Sequence, residues 1–107
     1  STALTGKIQQ NYSLSCSKTC NASVLQSASC TITNSGSYAA TFTLNPSVTS
    51  TIGTISGNCL TGAGSCSAVT VTPGSSVSSM NIGITATEGN TSRVDLIDPA
   101  SVPLTCP

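Results

Sequence analysis

Hydrophobic and polar residues alternate along most of this chain. Cys30 and Ile32 fall on one face of an extended segment, and Tyr38, Ala40, Phe42 and Leu44 on one face of the next, with Thr on most of the opposite face. Asn34-Ser35-Gly36-Ser37 between them tolerate the left-handed conformation and bond their own backbone, so the stretch predicts a β-hairpin, ended by Asn45-Pro46. Val48 to Ile55, rich in Thr and Ile but broken by Gly53, predicts a short edge strand. Cys66 to Thr72, with Val69 and Val71 on one face, stops at Pro73-Gly74. The most regular strand runs from Met80 to Thr87: Met80, Ile82, Ile84 and Ala86 point one way, and a turn follows at Glu88-Gly89-Asn90. Arg93 to Ile97 and Ser101 to Cys106 predict one last strand interrupted at Asp98-Pro99, or two short ones. About seven short strands with turn signals at regular intervals predict an all-β, antiparallel sandwich.

The N-terminal pattern is too long for that body. Thr2, Leu4, Gly6, Ile8, Gln10, Tyr12, Leu14 and Cys16 keep one phase without a turn dipeptide. Extended, the segment spans roughly 50 Å, whereas a domain of about 100 residues has a radius of gyration near ~13 Å and is only ~35 Å across. Either it bends at Gly6 or Gln9-Gln10 and switches sheets, or its first half lies in something else. The expected division is residues 1–15 as an N-terminal strand, a candidate donor strand, and 16–107 as the sandwich domain. As a donor, the segment turns Leu4, Gly6, Ile8 and Tyr12 toward a neighbouring subunit. Cys16 to Ser23 reads as a polar connection.

Composition changes the picture of the surface. Charged residues are only 6% of the chain and hydrophobic ones only 37%, so Ser and Thr, 37 residues together, supply the solubility. Zero net charge and recurring Val, Ile and Leu argue against disorder. Lys7, Lys18 and Arg93 are the only cations, too few to track a phosphate backbone, which sets nucleic acid aside. No apolar run approaches the ~18 residues of a membrane span. A chain without net charge also lacks the repulsion that keeps copies apart, which favours self-association.

Six cysteines with no histidine and no Cys-x2-Cys pair predict a disulfide framework rather than a zinc site. Such a framework belongs to an oxidising compartment, extracellular or at the cell surface. The absence of a visible signal peptide ahead of Ser1 fits a targeting segment that has been removed or lies outside this sequence. Cys59 and Cys66 close a glycine-rich loop and are expected to pair, while Cys16, Cys20, Cys30 and Cys106 allow several pairings.

Catalytic chemistry is not legible. No histidine is present to activate the many serines. Glu88 and Asp98 sit by turns where solvated carboxylates are the norm, and Asp95 with Asp98 makes at best a weak calcium site. Lys7 or Lys18 beside an Asn and Glu88 has the residue types of an isopeptide bond, against the plainer reading of a solvated lysine. No catalytic residue, metal ligand or cofactor is therefore assigned. Asn11, Asn21 and Asn90 each head an Asn-x-Ser triplet and could carry glycans on an extracellular chain. Five Thr-x-Thr pairs, from Thr31/Thr33 to Thr85/Thr87, would order water as ice-binding surfaces do if they formed one flat array.

Two stretches carry a resemblance. Cys30-Thr-Ile-Thr-Asn-Ser-Gly-Ser and Ala63-Gly-Ser-Cys-Ser-Ala-Val-Thr-Val-Thr-Pro-Gly resemble immunoglobulin-like modules of microbial surface proteins, including the ASPM, SPD-2 and hydin-like group. There a TxTNTG hairpin is followed by a GxSCxxxVTxxP strand. The resemblance covers roughly residues 28–87, with a shorter loop between Cys59 and Cys66, and implies a seven-stranded sandwich used as a structural or adhesive module. The long N-terminal strand is similar in architecture to that of donor-strand filament subunits. The expectation is thus an extracellular subunit of a surface filament or layer that polymerises with itself; the alternatives are a monomeric adhesion or ligand-binding module and, more remotely, an ice-binding protein.

Overall fold

A computed structural model describes residues 8–10, 12–88, 94–96 and 101–107. In chain order the strands are β1 (Ile8–Gln10), β2 (Tyr12–Asn21), β3 (Val24–Asn34), β4 (Ala40–Pro46), β5 (Ser50–Ile52), β6 (Gly64–Ser65), β7 (Val69–Pro73), β8 (Ser79–Glu88), β9 (Val94–Leu96) and β10 (Val102–Thr105). Two antiparallel sheets form the body. One has the order β2-β3-β7-β5, with β6 also paired to β3, and the other has the order β10-β8-β4. A separate two-stranded ladder pairs β1 with β9 in parallel, Ile8 opposite Val94.

The alternation assigns faces as expected. Ile32, Val69 and Val71 from the larger sheet and Phe42, Leu44, Ile82 and Ile84 from the smaller one are buried in one core. Thr41, Thr43, Thr70, Thr72 and Thr85 occupy the exposed sides of the same strands, where a β-branched polar residue satisfies strand geometry and water together. The Tyr12 and Phe42 rings meet across the sandwich with centroids 5.3 Å apart. The edge position expected near Val48 to Ile55 is taken by the three residues of β5, and the last two segments form separate strands, β9 and β10, in different sheets. β6, inside the glycine-rich loop, was not legible in the alternation.

Partners differ from expectation at two places. The segment from Cys30 to Leu44 is not a hairpin: β3 pairs with β2, β6 and β7, whereas β4 pairs with β8 in the other sheet. Residues 35–39 form an arch from one sheet to the other, so the apolar faces of β3 and β4 look at each other across the core. Asn34 holds that arch. Only 1% exposed, its amide donates to the carbonyls of Tyr38 at 3.1 Å and Cys59 at 3.0 Å, and its Oδ1 accepts from the Gly36 amide at 2.9 Å. Residues 34–37 also lack the expected left-handed conformation, which occurs outside glycine, among the described residues, at Ala22 (φ 51°) and Ser23 (φ 66°).

Those two residues mark the second difference. Cys16 to Ser23 is not a polar connection but the end of β2 and its turn, and the longest hairpin of the fold is β2–β3, with Tyr12 opposite Asn34 and Asn21 opposite Val24. Its polarity misled because β2 is an edge strand: one face is solvated and the other is only partly covered toward its C-terminal end. A break in register between Thr19 and Cys20 re-aims the last residues.

The disulfides are Cys16–Cys30, directly across β2 and β3 with Cα atoms 4.0 Å apart; Cys20–Cys106, joining the two sheets; and Cys59–Cys66, closing the loop around a 3-10 turn at Asn58–Leu60. In that loop Gly57 has φ of 118°, and a side chain there would meet the Ser67 amide at 2.8 Å, so only glycine fits.

Candidate functional site

An open sandwich has four sheet edges, and here they are treated differently. On one side lie β2 and β10. Register places Lys18 opposite the buried Ala28, on the core-facing side of β2, yet it is exposed. Its ammonium reaches across to donate to the Thr105 carbonyl at 2.5 Å, and one residue beyond Thr105 the Cys20–Cys106 bond ties the same two strands. The Ser23 hydroxyl adds a bond to the Pro107 carbonyl at 2.6 Å. An inward charge and a cross-link both blunt an edge against pairing with another chain.

On the other side β4 ends the smaller sheet. Its seven residues pair with β8, and no second strand among the described residues flanks them. Beside the first residues of β4 lies a cavity of about 330 Å³. Ala39, Ala40, Phe42, Ile55 and Leu60 supply its apolar lining, and the exposed Thr41 and Thr87 complete it. Metabolite sites occupy about 300–1,000 Å³ and hold converging polar groups. This cavity is at the small end of that range and its side chains bring two hydroxyls and no charge. A second cavity, between Val24–Gln26 and Thr72–Ser76, is mostly polar.

The residues singled out from the sequence are dispersed. Tyr12 lies in the chain's own core, opposite Asn34, and Ile8 is paired with Val94 of the same chain; Leu4 and Gly6 fall outside the described residues. Tyr12 and Leu14 belong to β2, the edge strand of the larger sheet. Asn21 is exposed at the tip of the β2–β3 hairpin, while Asn11 and Asn90 lie outside the described residues. Lys7 and Asp98 lie outside them as well. Among the described residues no group of His, Cys, Asp or Glu gathers that could hold a metal ion, and no helix is long and apolar enough to cross a membrane.

Register also resolves the threonine pairs into two surfaces. Thr31/Thr33 and Thr70/Thr72 belong to the larger sheet and Thr41/Thr43 and Thr85/Thr87 to the smaller, so they form no single array. On the larger sheet the hydroxyls stand in ranks across strands: Thr19 beside Ser27, Ser17 beside Ser29 and Thr70, Thr51 beside Thr72.

Sequence reasoning missed the open edge and its cavity. Only the tertiary structure brings Ile55 and Leu60 next to Ala40 and Phe42. Asn34, read as a turn former, proves to be the buried clamp that delivers β4 to its place. Neither a protein-family model, nor a curated protein, nor a solved structure matches the chain.

Proposed function

We propose that this chain is an extracellular structural subunit with an immunoglobulin-like sandwich, building a surface filament or layer by adding its N-terminal strand to a neighbouring subunit's sheet. The observation that carries the reading is the combination of open sheet edges with an alternating segment that precedes the first strand of either sheet, β2 at Tyr12. Backbone groups at an edge are unpaired, and an extended segment satisfies them. A contact of this head-to-tail kind does not close on itself and grows as a fibre.

The immunoglobulin-like part has support in strand order. Lettering β2, β3, β4, β5, β7, β8 and β10 from A to G turns the two sheets into A-B-E-D and G-F-C, the order of constant-type immunoglobulin domains. The chain departs from antibody domains in its cross-links: Cys30 on the second of these strands bonds to its neighbour Cys16, not across the sandwich. Three disulfides in a small domain fit an oxidising compartment.

Size-exclusion chromatography and electron microscopy of the intact chain and of a version lacking residues 1–7 test the reading. Assemblies from the intact chain, lost in a truncation that keeps its β-sheet circular dichroism, are the expected result. A discrete monomer from the intact chain overturns it.

A further inference from the structure

We infer, resting on the donor-strand reading above, that the acceptor is the free edge of β4 and that Leu4 of a second copy seats in the apolar cavity beside it.

The edges differ in how much of each is already fastened. β2 and β10 are bound to each other by the Cys20–Cys106 disulfide and the bond from Lys18 to the Thr105 carbonyl. β10 has only four residues, against seven in β4, whose one proline, Pro46, is its last residue, whereas Pro103 is the second residue of β10. β5 is short, with three residues, and its ladder with β7 runs on by one rung through the Gly53 amide, which donates to the Thr70 carbonyl. β4 offers seven residues in regular register with β8 on one side alone. At about 3.3 Å per residue it presents an edge of roughly 23 Å, the length of an extended segment such as residues 1–7.

Strand addition is recognised by two features together: an open edge, which supplies main-chain hydrogen bonds, and pockets for alternate side chains, which supply specificity. The cavity is mostly apolar, lined by Ala39, Ala40, Phe42, Ile55 and Leu60 with Thr41 and Thr87, and lies at the first residues of β4. Residues 1–7 present the matching pattern, with one large apolar residue, Leu4, between Thr2 and Gly6 on the same face. Gly6 lets the incoming backbone approach closely.

The occupant is another copy because this chain's own N-terminal region is tied elsewhere. Ile8–Gln10 pair with β9, and β2 is fastened to the β10 side; β10 and β4 are opposite ends of the smaller sheet. Under the immunoglobulin-like lettering β4 is strand C, the edge at which variable-type domains add further strands to the same sheet.

The test places the photocrosslinking residue benzoylphenylalanine at the exposed Thr41 or, as a comparison, at Thr51 on β5, in full-length chains mixed from isotopically light and heavy stocks. Irradiation after assembly should link Thr41, but not Thr51, to residues 1–7 of the other isotope. Ile55→Arg with Leu60→Arg, and separately Ala39→Arg at an exposed rim position, should lower assembly at least ~10-fold, the equivalent of about 1.4 kcal/mol, in chains that keep their β-sheet circular dichroism. Links from Thr51 alone overturn the choice of edge while the donor-strand reading stands. Links confined to one isotope place the segment in its own chain and overturn both. Assemblies that form with no link from either position overturn both as well. Full assembly of Ala39→Arg chains rejects the cavity.

Discussion

The β2/β10 side and the β4 side of this sandwich solve the same problem in opposite ways. On the first, two strands from different sheets are joined by a disulfide between Cys20 and Cys106 and by the bond from the Lys18 ammonium to the Thr105 carbonyl. On the second, β4 stands with one partner strand and a cavity at its flank. An unpaired edge of seven residues is a template for association. The difference teaches that protection and exposure are distributed in this fold: one side is fastened across its two sheets, and on the other β4 keeps a single partner strand.

The comparison breaks hardest at Cys20–Cys106. Because it closes a loop of 86 residues, chain entropy assigns it about 4.5 kcal/mol, against about 2.4 for the 7-residue loop of Cys59–Cys66. Replacing Cys20 and Cys106 by Ser should therefore lower stability nearly twice as much as the same change at Cys59 and Cys66, measured by urea unfolding without reductant. Equal losses would mean that the long cross-link does not fasten that side.

The open side is broken next by Asn34→Ala. The change strips three hydrogen bonds from a buried position and leaves two carbonyls and one amide without their partner, a loss of about 3 kcal/mol. Hydrogen exchange should report faster opening of the Gly36 amide, and thermal unfolding should fall by roughly 12 °C or more. Retained protection at Gly36 would show that the arch stands without its clamp.

Smaller changes sharpen the contrast. Ala22 occupies a left-handed turn position in the β2–β3 hairpin, where a Cβ is unfavourable by roughly 1–2 kcal/mol. Ala22→Gly should stabilise the closed side by about 0.5–1 kcal/mol in urea unfolding, since the relief exceeds the extra flexibility of the unfolded glycine. Lys18→Ala should change stability least, about 0.5 kcal/mol, yet light scattering should show new association through the unguarded β2 edge. An unchanged particle size would assign the guard to the disulfide alone.

Much of the fold was legible in the chain. Met80, Ile82 and Ile84 could be assigned to the core from alternation, as could Val69, Val71, Phe42 and Leu44, because each strand carries its own record of which face is buried. The same record failed at Cys30 to Leu44, where a hairpin and an arch present identical patterns: both put Ile32 and Phe42 inward. It failed again at Cys16 to Asn21, because an edge strand is only half covered and reads like a loop. The candidate site was less legible still. Leu4 and Gly6 stood out for their phase, but Ile55 and Leu60 carry no signal that ties them to Ala40.

By itself the sequence determined the class: an all-β chain, hydroxyl-coated, with six cysteines suited to a disulfide framework. Those follow from local quantities, the two-residue period of the pleat and the side chains present. Tertiary structure decided which strands are neighbours, that Cys16 meets Cys30 and Cys20 meets Cys106, and which edge is left bare. Period two says where a side chain points and nothing about which backbone lies alongside. That choice is made by contacts between residues far apart in the chain, satisfied together when the two sheets close on one core.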